Sequence, residues 1–205
     1  MKRRIFSREP AVIGRIDVRC DEFMFVQDML IALPDQQIYL PRQVQCFAPL
    51  VEEVMAIGRP AGTYMYLTAK RLFTSPTCGW NRPGWHIDGF GTDDLNYLWS
   101  DSFPTEFCSQ QFDLSDDHAR SMIEMEQQVR KENVRTYENS TLLGLDNTVV
   151  HQVAPVKGCG VRTFAKISIS RNRYNLRGNA RNDLIDYDWS MVDRALERND
   201  PAAEA

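Results

Sequence analysis

The stretch Gly84-Trp85-His86-Ile87-Asp88-Gly89, taken with Val150-His151-Gln152 and Arg162, holds residue types at spacings suited to metal chemistry. Side chains alternate along a strand, so His86 and Asp88 share one face and, roughly 6.6 Å apart along the chain, can converge on a single ion. A second imidazole on a neighbouring strand, His151, completes a set of two neutral nitrogens and one carboxylate oxygen. That set suits iron(II) or manganese(II) and leaves coordination positions open, whereas all-sulfur ligation would favour zinc or clusters. The chain has three histidines, and two fall where this arrangement needs them. The third, His118, sits at a helix start in Asp116-Asp117-His118-Ala119 and reads as a solvent-exposed residue outside the site.

Arg162 follows His151 by eleven residues. Its planar, permanently charged fork can hold a carboxylate through two parallel hydrogen bonds, which suits the far end of a dicarboxylate whose near end chelates the metal. Lys166 shares the strand face of Arg162 and is the alternative anchor. Tyr97 and Trp99 share a strand face near the motif and are candidates to line a substrate pocket. Trp85 reads as core packing; Trp80 and Phe103 complete the aromatic cluster around the motif. Four arginines between 171 and 181 could meet phosphates, but the chain as a whole is acidic and a solvated loop is the better reading.

These residues require a frame of short strands. β-Rich pieces occur at 12–16 and 37–40, with a helical segment expected around 21–32. Pro41 opens a second helix to about Ile57, whose apolar positions Val44, Phe47, Leu50, Val51 and Val54 recur at spacings of three and four before Gly58 and Pro60 stop it. Strands are expected at 63–68, 85–88, 96–99, 105–108, 141–145, 148–153 and 161–170, the last two joined as a hairpin through the turn 155–160. A helix should begin at Ser115-Asp116-Asp117 and run to about Lys131. Many short strands with a few helices point to a mainly β fold with flanking helices.

The order HxD, a long gap, a second His and a basic residue about ten positions on resembles the iron(II)- and 2-oxoglutarate-dependent dioxygenase superfamily. It maps to His86, Asp88, His151 and Arg162. The flanking Thr148-Val149-Val150-His151-Gln152-Val153-Ala154-Pro155-Val156 and Arg162-Thr163-Phe164 are similar to family members. The resemblance covers roughly residues 63–170. It implies a double-stranded β-helix (jelly-roll, cupin-like) core, with 1–62 as N-terminal strands and helix and 171–205 as a C-terminal extension of one domain. It also implies Fe(II) on His86, Asp88 and His151, and 2-oxoglutarate as cosubstrate with its distal carboxylate on Arg162.

Tyr64 and Tyr66, on an earlier strand, are candidates to bond the cosubstrate. Many members carry a Ser two residues beyond the Arg; Phe164 stands there in this chain, and Ser168 is the substitute. The implied reaction consumes dioxygen, releases succinate and carbon dioxide, and hydroxylates a small molecule or protein side chain, or demethylates it through hydroxylation. Halogenating relatives lack the carboxylate that Asp88 provides. Two other readings share the residues: a cupin-like metalloenzyme that does not use 2-oxoglutarate, and a non-catalytic jelly-roll binding protein.

Composition narrows the class. With 205 residues and 43% hydrophobic content, the chain can bury a core without disulfides or structural zinc. Its 24 basic against 28 acidic residues argue against nucleic acid as a general partner. Five scattered cysteines with no CxxC read as reduced thiols, and the start Met1-Lys2-Arg3-Arg4 lacks a signal-peptide apolar run, so a cytoplasmic protein with no membrane partner is expected.

Overall fold

The computed structural model describes residues 2–78 and 84–193. In chain order the elements are β1 (Lys2–Phe6), β2 (Ala11–Arg15), β3 (Met24–Ala32), a 3-10 turn (Arg42–Phe47) running into α1 (Ala48–Ile57), β4 (Tyr64–Thr74), β5 (Leu95–Ser100), β6 (Thr105–Cys108), β7 (Gln111–Ser115), α2 (His118–Gln128), a 3-10 turn (Lys131–Asn133), β8 (Val134–Thr136), β9 (Thr141–Leu145), β10 (Val150–Val153) and β11 (Gly160–Ser170). Three sheets result, with orders β2-β9-β5-β11-β4-β3, β10-β6-β8 and β1-β7. The strand pairings are antiparallel. Among the described residues, no helix is long and apolar enough to cross a membrane. Trp80 and the tail from Asp200 lie outside the described residues.

Period-two alternation sets the layers. On β4, β5 and β11 one face carries Met65, Leu67, Ala69, Tyr97, Trp99, Ala165, Ile167 and Ile169, all buried against Val44, Phe47, Leu50, Val51 and Val54 of the helical segment. The five apolar positions expected of the 41–57 helix are the ones that dock. The opposite face of the same sheet holds Leu98, Leu143, Leu145 and Phe164, which meet Phe107 of the three-stranded sheet. The two sheets therefore face one another across an interior. Behind the smaller sheet, Trp85, Ile87, Cys108 and Val150 pack on Phe112 and Leu114 of β7 and Met125 of α2. Trp85 is thus a core residue.

Four expectations are corrected. The segment 21–32 is not a helix: Met24–Ala32 is a strand on β4. Its register shifts between Val26 and Met29 and again between Leu30 and Ala32. Such bulges break strict alternation and leave apolar residues at spacings that imitate a helix. Residues 37–40 form no strand; Tyr39 alone donates its N–H to Ile31 O (2.8 Å). β10 and β11 are not a hairpin, because β10 pairs with β6 in the small sheet while β11 pairs with β4 and β5 in the large one. The 85–88 strand is reduced to one bridge at His86, after which the chain turns.

α2 ends at Gln128, three residues short of expectation; Asp117 caps its start, accepting the Arg120 N–H at 2.8 Å.

Candidate metal centre

His86 and His151 are opposite one another on the free edge of β10. Each donates its backbone N–H to the other's carbonyl at 2.9 Å. Opposed residues of an antiparallel pair project to the same side, and the two rings stand 4.5 Å apart. Trp85 and Ile87 alternate outward, so both imidazoles enter the space between the sheets. His86 Nδ1 lies 2.9 Å from Gly84 O, and His151 Nδ1 lies 3.1 Å from Val149 O. A carbonyl can only accept, so both Nδ1 atoms carry a proton and the Nε2 atoms are the ones left for a metal. This is how a metal-ligating imidazole is ordinarily held.

Asp88 reaches the same point across the turn, its Oδ2 3.6 Å from His151 Nε2. One ligand atom from each of His86, Asp88 and His151 lies within 4.8 Å of the others. Lys166 Nζ is 3.4 Å from the same Oδ2. Burial alone would raise the Asp88 carboxyl, but Lys166, His151 and His86 outweigh it and hold the group well below the usual carboxylate range. The carboxylate is therefore ionised at neutral pH, and with two imidazole nitrogens it makes a donor set fit for a divalent first-row metal.

The remaining sequence candidates separate by strand face. Arg162 is on the interior face and buried; its Nε donates to Ser102 O (3.1 Å) and Phe103 O (3.0 Å), and the guanidinium lies over the Phe164 ring. Its Nη2 is buried with no hydrogen-bond partner. Burial lowers the Arg162 pKa to about 10, which leaves it fully charged at neutral pH. Ser168 is buried and donates to Asn96 Oδ1 at 2.7 Å.

Tyr64 and Tyr66 also face inward but are engaged by the C-terminal segment. Tyr66 donates to Asn172 O (3.0 Å), accepts the Tyr174 N–H (3.1 Å) and stacks on Tyr174 at 4.1 Å, while Tyr64 accepts from Arg173 Nε at 3.1 Å. Neither hydroxyl is directed at the histidines. Tyr97 and Trp99 do not line the site: alternation turns them to the α1 face, where Trp99 Nε1 donates to Ile16 O (2.9 Å).

Sequence reasoning missed Lys70. It stands opposite Phe164 on β4, diagonally between Arg162 and Lys166 on the interior face. Burial, then Lys166, lowers its pKa from 10.5 to about 8, with Arg162 adding to the effect and Asp28 and Asp88 opposing it. The signal was present, since Lys70 shares the alternation of Tyr64 and Tyr66. His118 was also misjudged: it is partly buried, stacks on Phe90 at 5.6 Å and lines the cavity outside Asp88. That cavity has a volume of about 650 Å³ and includes Asp28, Asp94, Asn96 and Lys166 in its wall.

The arginines of 171–181 are not a free basic strip. Arg171, Arg177 and Arg181 pair with Asp93, Asp193 and Asp183. All five cysteines are free thiols. Compared with known proteins, the chain matches no family, no curated relative and no solved structure.

Proposed function

We propose that this protein is an iron(II)- and 2-oxoglutarate-dependent dioxygenase built on a double-stranded β-helix, hydroxylating a small molecule or demethylating it through hydroxylation. One observation carries the reading: two imidazoles with Nδ1 fixed to carbonyls and one ionised carboxylate share a point between two sheets, on the side where Lys70, Arg162 and Lys166 gather. Strand order supports the fold. Counted from β4, with β7 set aside because it pairs with β1 in a separate sheet, the eight positions are β4, the His86 bridge, β5, β6, β8, β9, β10 and β11. The first, third, sixth and eighth lie together as β9-β5-β11-β4, and the others as His86-β10-β6-β8. This alternation between facing sheets is what a jelly roll would give, and it supports that reading.

Bound iron(II) and 2-oxoglutarate would supply the oxidising chemistry, with succinate and carbon dioxide as coproducts. His86, Asp88 and His151 would hold the ion on one side, leaving the other side open. The part of this chain is to bind and orient. The carbonyls of Gly84 and Val149 hold the Nδ1 protons and fix both rings, so that the Nε2 atoms would be the ones offered to a metal. Lys166 keeps Asp88 ionised. The unpartnered Nη2 of Arg162 is suited to a carboxylate oxygen, and Lys70 adds positive charge beside it. Leu98, Phe107 and Phe164 exclude water from the deep side.

The test is dioxygen-dependent conversion of 2-oxoglutarate to succinate by the Fe(II)-loaded protein. Wild type should turn it over, and Arg162→Ala should raise the KM for 2-oxoglutarate by about tenfold or more, as expected for a lost charge-assisted contact. A protein that binds Fe(II) yet forms no succinate with any substrate offered belongs instead to the cupin-like class that uses the metal without this cosubstrate.

A further inference from the structure

The cavity outside Asp88 carries more negative charge than its metal-ligand role explains. Asp28 lies in the β3 bulge with φ 42°, a left-handed conformation uncommon for a residue with a side chain. The bulge takes Asp28 out of the strand's alternation and places it in the cavity wall. Its carboxylate accepts from the Thr68 hydroxyl (2.8 Å) and Gln27 Nε2 (2.7 Å). Asp94, 3% exposed, accepts from the Ser170 hydroxyl (2.5 Å) and the Tyr174 hydroxyl (2.8 Å). All four donors are neutral. Among the described residues neither carboxylate forms an ion pair, although Asp28 acts on Lys70 through space; Lys166 is paired with Asp88 and Arg173 is turned toward Tyr64 and Trp189. Both carboxylates act on Tyr66 and on Tyr174, whose rings stack at 4.1 Å.

A second observation points to a ligand. Asn96, 2% exposed, lines the same cavity; its Oδ1 is taken by Ser168, and its Nδ2 is buried with no partner. A buried donor without an acceptor is costly and uncommon, and a ligand atom would relieve it. The volume of about 650 Å³ is that of an ordinary small-molecule site.

We infer that the cavity binds a small organic cation, with an amine or guanidinium group seated by Asp28 and Asp94 and a hydrogen-bond acceptor on the same molecule facing Asn96 Nδ2. Carboxylates bonded to neutral donors can take a cationic ligand, and Tyr174 offers an aromatic ring in the cavity wall. Basic amino acids have this chemistry, and their decarboxylated amines keep the cation without the acceptor. As a substrate assignment the inference rests on the dioxygenase reading of the adjoining metal group; as a ligand assignment it stands on the cavity alone.

The test is calorimetric titration of the full chain, metal-free and Mn(II)-loaded, with L-arginine, L-lysine, agmatine and L-leucine, and with Mn(II) itself in parallel. At least one of the three cations should bind about tenfold or more tightly than L-leucine in the metal-free protein, and Asp28→Asn and Asp94→Asn should each remove about that factor. Asparagine tolerates positive φ and still accepts hydrogen bonds, so both variants should keep the wild-type melting profile. Asn96→Leu should weaken L-arginine and leave agmatine, which has no carboxylate, unchanged. Equal binding of cations and L-leucine, or cation binding indifferent to both Asp variants, overturns the inference. Mn(II) binding without cation selectivity sinks this inference alone, whereas cation selectivity without Mn(II) binding sinks the dioxygenase reading alone.

Discussion

Lys70→Met separates a residue kept for binding from one kept for stability. Lys70 is partly buried beside Lys166 and Arg162, and its pKa falls from 10.5 to about 8. At about 1.4 kcal/mol per pH unit that difference is about 3.5 kcal/mol, which partial solvent access reduces to about 1–3 kcal/mol. The sign follows from proton counting. Below pH 8 the lysine is charged in both folded and unfolded chains, and only the folded chain bears the burial cost. Between about 8 and 10.5 the folded chain releases the proton while the unfolded chain keeps it, so stability rises with pH.

Replacing the ammonium with an apolar group of similar length should therefore stabilise the protein at pH 7, by about 2–4 °C in Tm per kcal/mol for a chain of this size. The gap to wild type should close as pH approaches 10. Denaturant melts of both proteins between pH 6.5 and 10 read this directly. On the proposed function the same substitution should weaken 2-oxoglutarate binding at pH 7, and wild-type affinity should itself decline above pH 8. A variant that is less stable than wild type at pH 7, by a margin that does not change with pH, would refute the reasoning.

Other perturbations follow from the same geometry. His151→Ala and Asp88→Asn should each cost more than about 100-fold in Mn(II) affinity by anaerobic titration, beyond the effect usual for residues that only orient ligands. Because the ionised Asp88 is stabilised by Lys166 and the two histidines, its contribution holds at neutral pH and is lost as pH falls below about 4; Asp88→Asn should flatten that acid limb in melts. Gly89 has φ +69°, and an added Cβ would lie 2.9 Å from Asp94 Cβ and from Thr92 Oγ1. Gly89→Ala should therefore destabilise by about 1–3 kcal/mol and disturb the turn after Asp88. Leu50→Ala, in the α1 face that docks on the large sheet, should cost about 2–5 kcal/mol in chemical denaturation without altering metal affinity.

How far each feature could be read from sequence follows from the range of the forces that set it. The helix at 41–57 was legible because its docking face is a local 3.6-residue pattern ended by Gly58. The strands β5, β6, β9 and β11 were legible from short apolar runs bounded by turns. His86, Asp88 and His151 were found because two-residue spacing and a second strand histidine are visible in one dimension. β3 was not legible, since its bulges erase alternation, and Asp28, which the bulge places in the cavity wall, went unseen with it. Tyr97 and Trp99 illustrate the opposite limit: alternation says that they share a face, but which face depends on the helix packed behind the sheet. Sheet membership is equally non-local, so the turn 155–160 looked like a hairpin although its flanking strands belong to opposed sheets. Lys70, Asp94 and Asn96 gain meaning only when β4, β5 and β11 are placed side by side.

The most direct test is the anomalous scattering of a Mn(II)-soaked crystal. The account predicts one strong peak about 2.0–2.2 Å from His86 Nε2, His151 Nε2 and an Asp88 carboxylate oxygen, abolished in His151→Ala. A map without a peak at that point, or with manganese held only elsewhere on the molecule, would contradict it.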